Sequence, residues 1–207
     1  IPKNLQLHML RTAAVAELIF DNLTCELEKE NVLATMLLHD MGNVVKMQFD
    51  EDGLKLIDQE DLVKIEELKK MQKEFIKKYG DDDQGVNHAI AKEIGISKRL
   101  EELICKKSFH SACKINETSD LELWLCWYCD WRVGPFGILS LDNRLDDVKK
   151  RYTRKGVEIY KNKNVDGNKL DLLLVCAKKI EKKIFEKCKI TPGDITDASI
   201  KKYLENY

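Results

Sequence analysis

The 207-residue chain is predicted to be all-α. Only 3 Pro and 10 Gly occur, too few for the many turns of a sandwich or barrel. Apolar residues recur three and four positions apart in one window after another, the spacing that lines one face of a helix. Nowhere do apolar and polar residues alternate as they do in a half-buried strand.

The elements follow in order. Residues 3–22 form a first helix, with His8, Thr12, Val15, Ala16 and Ile19 sharing one stripe. A second covers 30–40, carries Val32, Leu33, Met36 and Leu37, and stops at Gly42. After an acidic turn at Asp50–Gly53, a long amphipathic helix is expected over 59–79, with Leu62, Ile65, Leu68, Phe75, Ile76 and Tyr79 on its apolar side. Asp81, Asp82 and Asp83 mark a second acidic turn, and neither turn has the spacing or closing Glu of an EF-hand loop. Two short helices, 85–95 and 97–109, are separated at Gly95, the second capped by Ser97. Residues 118–132 make a strongly apolar helix, and Gly134–Gly137 a turn. Further helices run from Ser140 or Asp142 to about Thr153, over 168–188, and from Thr196 or Asp197 onward.

A chain of this length with 43% hydrophobic residues buries enough surface to fold without a metal or disulfide. No apolar run approaches the roughly 20 residues that span a bilayer, so no membrane partner is expected. The seven cysteines form no secreted framework, and six lie in apolar helical windows where Cys acts as a small hydrophobe. Cys126 and Cys129 make a lone CxxC without the second pair that a zinc site needs, and read as buried thiols. No signal-like apolar core precedes the first helix, and a reducing cytoplasm is the expected location. The net charge of −1 hides an asymmetry. Residues 149–207 hold 16 Lys and Arg against 8 Asp and Glu; residues 1–148 hold 19 against 28. The lysines of the basic part follow helical spacing with few aromatics between them, which points to a solvated surface rather than to nucleic acid.

Four histidines occur: His8, His39, His88 and His110. A lone His on an apolar face is commonly a core residue, but all four sit on helix faces or helix ends. Burying several imidazoles without partners would cost about 1–3 kcal/mol each, a cost that a shared metal removes. His39 is followed at once by Asp40. Helical neighbours diverge by about 100°, yet at a helix end before Gly42 both side chains can turn to one site. Imidazole with carboxylate suits Zn, Mn, Fe, Ni or Co better than Ca.

In these residues the chain resembles the HD-domain metal-dependent phosphohydrolases. The motifs are Leu7–His8–Met9 on the first helix, His39–Asp40–Met41–Gly42 closing the second, and Cys129–Asp130–Trp131 on a later one. The resemblance runs from His8 to about Tyr152 and implies an HD helical bundle over residues 1–152, with a basic helical extension, 153–207, packed on it. It implies a divalent transition metal, one or two ions, with His8, His39, Asp40 and Asp130 on the first. Asp40 would bridge to a second ion held by His88 and His110, as in the dinuclear branch. The implied reaction is hydrolysis of a phosphomonoester or phosphodiester, a nucleotide above all, by metal-activated hydroxide, with Asp40 at the catalytic centre.

One position departs from the pattern. Where many members place Lys three residues after the Asp of the pair, Asn43 stands here, with Lys46 three further on. Arg132, two residues after Asp130, and Lys46 are the candidates to grip phosphate; Arg11, Arg144 and Arg151 are weaker ones. Two alternatives stay open on the same scaffold, a di-iron oxygenase and a non-catalytic nucleotide sensor.

Overall fold

The structure is a computed structural model that describes the backbone of residues 1–154 and 167–207, and side chains other than those of Phe109 and residues 151–169. Twelve α-helices are found among the described residues: α1 (Lys3–Phe20), α2 (Glu30–Leu38), α3 (Glu51–Leu54), α4 (Gln59–Leu62), α5 (Ile65–Tyr79), α6 (Asp83–Glu93), α7 (Lys98–Lys106), α8 (Ala112–Asn116), α9 (Leu121–Arg132), α10 (Leu141–Arg154), α11 (Gly167–Phe185) and α12 (Asp197–Leu204). Short 3₁₀ turns stand at Met41–Lys46, Phe109–Ser111 and Pro192–Asp194. The all-α expectation holds; the described residues contain no strand, only the isolated bridges Leu23–Cys188 and Val133–Ile138.

The most thoroughly buried helix is the axis of the fold. In α9 every residue from Leu123 to Arg132 is buried except Asp130. Helices α1, α2, α7, α8, α10 and α11 pack around it. Its N-terminus is capped by Asp120, whose carboxylate accepts from the Leu123 amide at 3.1 Å. One core unites Ala13, Val15 and Ile19 of α1, Met36 of α2, Leu125 and Trp127 of α9, Ile180 and Ile184 of α11 and Ile200 of α12. The basic C-terminal helices are therefore apolar on their inner face, and most of their described lysines lie outward, Lys183 excepted, which stands 4.8 Å from the Trp124 ring centre. The boundary expected at residue 152 adjoins residues 155–166, which lie outside the described residues.

Three local expectations are corrected. The helix expected over 59–79 breaks at Val63–Lys64 into α4 and α5, because Lys64 adopts φ −111° and ψ 20° and Asp58 starts a separate turn by capping the Glu60 amide. The helix expected to reach 109 ends at Lys106, and residues 109–116 form a 3₁₀ turn and α8 instead. The cysteines do not all stay free: Cys113 of α8 and Cys176 of α11 form a disulfide. Cys126 and Cys129 do remain buried thiols, and burial pushes Cys126 up to about 12 and Cys129 well above its ordinary value, which disfavours the thiolate that a nucleophile needs.

The disulfide closes a loop of 63 residues onto the core, a constraint on the unfolded chain of about 4 kcal/mol in the chain-entropy model. A reducing cytoplasm would keep such a bond open. Reduction with dithiothreitol, or Cys176→Ser, should lower the melting temperature by roughly 8–16 °C. An unchanged melting temperature would show that the bond contributes nothing.

Candidate metal centre

Three helices and one turn place the site. His8 stands in the second turn of α1. Helix α2 ends at Leu38; His39 caps it in helical geometry, and Asp40 leaves the helix at φ −115°, ψ 15°. That departure turns two sequence neighbours toward one point, with His39 Nε2 3.5 Å from Asp40 Oδ1. His8 Nε2 lies 3.5 Å from Asp40 Oδ2. Asp130 of α9 completes the group, its Oδ1 3.2 Å from His8 Nε2 and 3.4 Å from His39 Nε2.

The turn after Asp40 is held by α6. Gly42 donates its amide to Asn87 Oδ1 at 2.7 Å. A Cβ on Gly42 would stand 2.6 Å from the Asp83 carbonyl oxygen and 2.9 Å from the Asn87 nitrogen, so no other residue fits without moving α6. At the other end of the bundle a polar brace ties α2, α7 and α9 together. Asn31 donates to Glu122 at 3.0 Å, and Arg99 donates to Glu122 at 2.7 Å and to Asp120 at 2.6 Å.

His39 carries the clearest sign of an ion. It is only 1% exposed, and its Nδ1–H donates to the Met36 carbonyl at 2.8 Å. A carbonyl accepts and never donates, so in the neutral ring the lone pair falls on Nε2. That atom is buried without a hydrogen bond. An outer hydrogen bond that fixes tautomer and ring angle is the usual support of a metal-ligating His. Two donors each about 2.0–2.2 Å from a common ion stand about 2.8–3.6 Å apart at right to tetrahedral angles, and the spacings here are 3.2–3.5 Å. His8, His39 and Asp40 thus form a group that could hold a metal ion, with Asp130 against it. The residues fit the ion.

A residue absent from the sequence expectations completes the centre. Lys107, at the C-cap of α7, is 7% exposed, and its Nζ donates to Asp130 Oδ2 at 2.7 Å. Burial works to lower its affinity for a proton, but the charges of Asp130 and Asp40 override it and hold the ammonium above its ordinary value. Burial likewise works against the Asp130 anion; Lys107, with His39 and His8, overrides it and holds the carboxyl well below the usual range. The next residue, Ser108, accepts from the Trp127 indole at 3.3 Å, which seats this corner on α9. Lys107 was missed because one lysine in the Lys106–Lys107 pair reads as surface; only where α7 stops determines which of them turns inward.

Several expected residues are not brought here. His88 lies on α6 one residue after Asn87. The buried stripe of that helix is Asp83, Val86, Asn87 and Ile90, so His88 faces out and pairs with Glu101 at 2.9 Å. His110 is exposed on the 3₁₀ turn after α7. The pair expected to hold a second ion is therefore not assembled beside Asp40. Arg132 turns to the opposite side of α9, since two residues along a helix rotate a side chain by about 200°. There, 3% exposed, it donates to the carbonyls of Leu139, Pro192 and Ile195 and to the Tyr128 hydroxyl. Its work is to fasten the C-terminal segment, not to cover an ion. Lys46, half-exposed, pairs with Asp83. Of the weaker candidates, Arg144 pairs with Asp147, Arg11 is half-buried on α1, and the Arg151 side chain lies outside the described residues.

A family model described as the HD domain matches residues 6–112. The matched stretch includes His8, His39, Asp40 and Lys107, and Asp130 lies beyond it. No curated protein and no solved structure matches the chain.

The close fit of Gly42 makes it a sensitive probe. Gly42→Ala should destabilise the fold by about 1–3 kcal/mol through overpacking against α6, and should weaken metal binding by displacing His39 and Asp40. Urea melts and a metal titration measure both; wild-type values in both would mean that the turn is not held as described. Arg132→Ala, by contrast, should lower stability while metal binding stays intact.

Proposed function

The chain belongs to the HD-domain family, and from that premise we propose that it is a metal-dependent phosphohydrolase that cleaves a phosphomonoester or phosphodiester of a nucleotide. The observation that carries the reading is the buried, hydrogen-bond-free Nε2 of His39, with His8, Asp40 and Asp130 around it. In this reading these four side chains hold a divalent transition metal. Bound there, such an ion polarises a phosphoryl oxygen and makes water acidic near neutral pH.

The protein's own part is positional and electrostatic. His39 is held in one tautomer by Met36, so its donor atom is aimed before anything binds. Asp130 stays ionised because Lys107 stands on its outer oxygen, which leaves Oδ1 for the ion. His8, Asp40 and Asp130 keep side-chain exposures of 16%, 19% and 22%, so solvent reaches the group, while His39 is closed off from it. Among the described residues, His88 and His110 give no second imidazole pair beside Asp40, which weighs against the di-iron oxygenase.

Protein loaded with Mn or Ni should turn over p-nitrophenyl phosphate, and a screen of nucleotides under the same loading should identify the natural class. Asp40→Ala should lose metal and turnover together. Binding should weaken in acid, since imidazole and carboxylate ligate only when deprotonated. Stoichiometric metal in Asp40→Ala would overturn the site; a fully loaded wild-type protein without turnover of any phosphoester would leave a binding domain and overturn the enzyme.

A further inference from the structure

We propose that Lys107 is a phosphate-binding residue of this centre, its ammonium group serving as the second cation beside a single divalent ion. The inference rests on the phosphohydrolase reading and deepens it.

The two oxygens of Asp130 face different partners. Oδ1 looks to the His8 and His39 nitrogens at 3.2 and 3.4 Å, where the ion would sit, and Oδ2 accepts from Lys107 Nζ at 2.7 Å. One carboxylate thus stands between an ion site and a fixed cation, the relation that a bridging carboxylate has in a two-metal centre. An ammonium group has three donors, and Asp130 takes one. No other hydrogen-bond partner of the ammonium is found among the described residues, and in this proposal the remaining donors go to a phosphate oxygen.

Charge bookkeeping agrees. Ligation requires neutral imidazoles and ionised carboxylates, so two carboxylates, one ammonium and one divalent ion sum to one unit positive, suited to a phosphoryl anion. A second divalent ion would have to settle beside a buried ammonium, and the imidazoles expected to hold it stand at the surface. The other basic side chains considered for this task are occupied elsewhere: Lys46 by Asp83, Arg132 by three carbonyls and a hydroxyl. Asn43, which breaks the family pattern, therefore leaves no gap; the cation comes from the end of α7 instead.

The test uses the full chain and two probes, Mn and inorganic phosphate. Calorimetry should give one Mn per wild-type chain; the Mn affinity of Lys107→Arg and Lys107→Gln is measured first, and phosphate is then titrated at an Mn concentration that saturates each. Inorganic phosphate should bind the loaded wild type, and Lys107→Gln should bind it about tenfold or more weakly, the worth of a hydrogen bond to a charged group; Lys107→Arg should stay closer to wild type. Unchanged phosphate affinity in a folded, loaded Lys107→Gln overturns the proposal, and so do two Mn per wild-type chain. Ester turnover on the same samples separates the two readings. Turnover with unchanged phosphate affinity in Lys107→Gln sinks this inference alone, whereas Lys107-dependent phosphate binding without turnover supports it and sinks the enzyme. If Lys107→Gln does not fold, zinc-loaded wild type labelled with ¹⁵N-lysine decides: phosphate must shift one buried Nζ resonance, and no shift overturns the proposal.

Discussion

Asp130 is a carboxylate near the end of the most buried helix of the bundle, and its charge has to be met there. Its side chain is still 22% exposed, and the burial of the rest works against the charge. What offsets this is a set of partners from three other elements: His8 from α1, His39 from the end of α2, and Lys107 from the end of α7. Each of these helices must lie at the right depth and rotation for its one side chain to arrive. The same contacts that build the centre therefore also fix how the helices sit.

The rest of the architecture follows from that requirement. The polar brace of Asn31, Arg99, Asp120 and Glu122 fixes α2, α7 and α9 at the end remote from the site. The Gly42–Asn87 contact fixes the turn where His39 and Asp40 leave α2. Arg132 and the Cys113–Cys176 bond fasten the C-terminal helices against the back of α9. None of these touches the candidate ion. They hold the helices that do, and this is why the donor atoms can stand 3.2–3.5 Å apart before any ion is present.

Much of this was readable from residues alone, and the misses have physical causes. The helices were legible because apolar spacing reports burial directly. His39 and Asp40 drew attention as a pair because an imidazole next to a carboxylate at a helix end has few uses apart from ligation, whereas His8 and Asp130 entered as ligands only through the resemblance to the HD pattern. His88 was misassigned by a single residue of helical phase: Asn87 and His88 differ by about 100° in direction, and only the docking of α6 on Gly42 decides which faces inward. Arg132 failed for the same reason, two residues from a ligand and on the wrong side of its helix. Lys107 was invisible because lysine composition reports surface, while its burial depends on where α7 stops. The disulfide depends on α8 and α11 meeting, a contact across 63 residues that local pattern does not encode.

The central claim is that His8, His39, Asp40 and Asp130 converge on one ion. Anomalous diffraction at the manganese edge from a crystal soaked in Mn tests it most directly. The account predicts one strong peak per chain, in contact with both imidazole Nε2 atoms and both carboxylates, and no peak beside Lys107 Nζ. A peak pair bridged by Asp40, or a peak at His88 and Glu101 with none at His39, would contradict it.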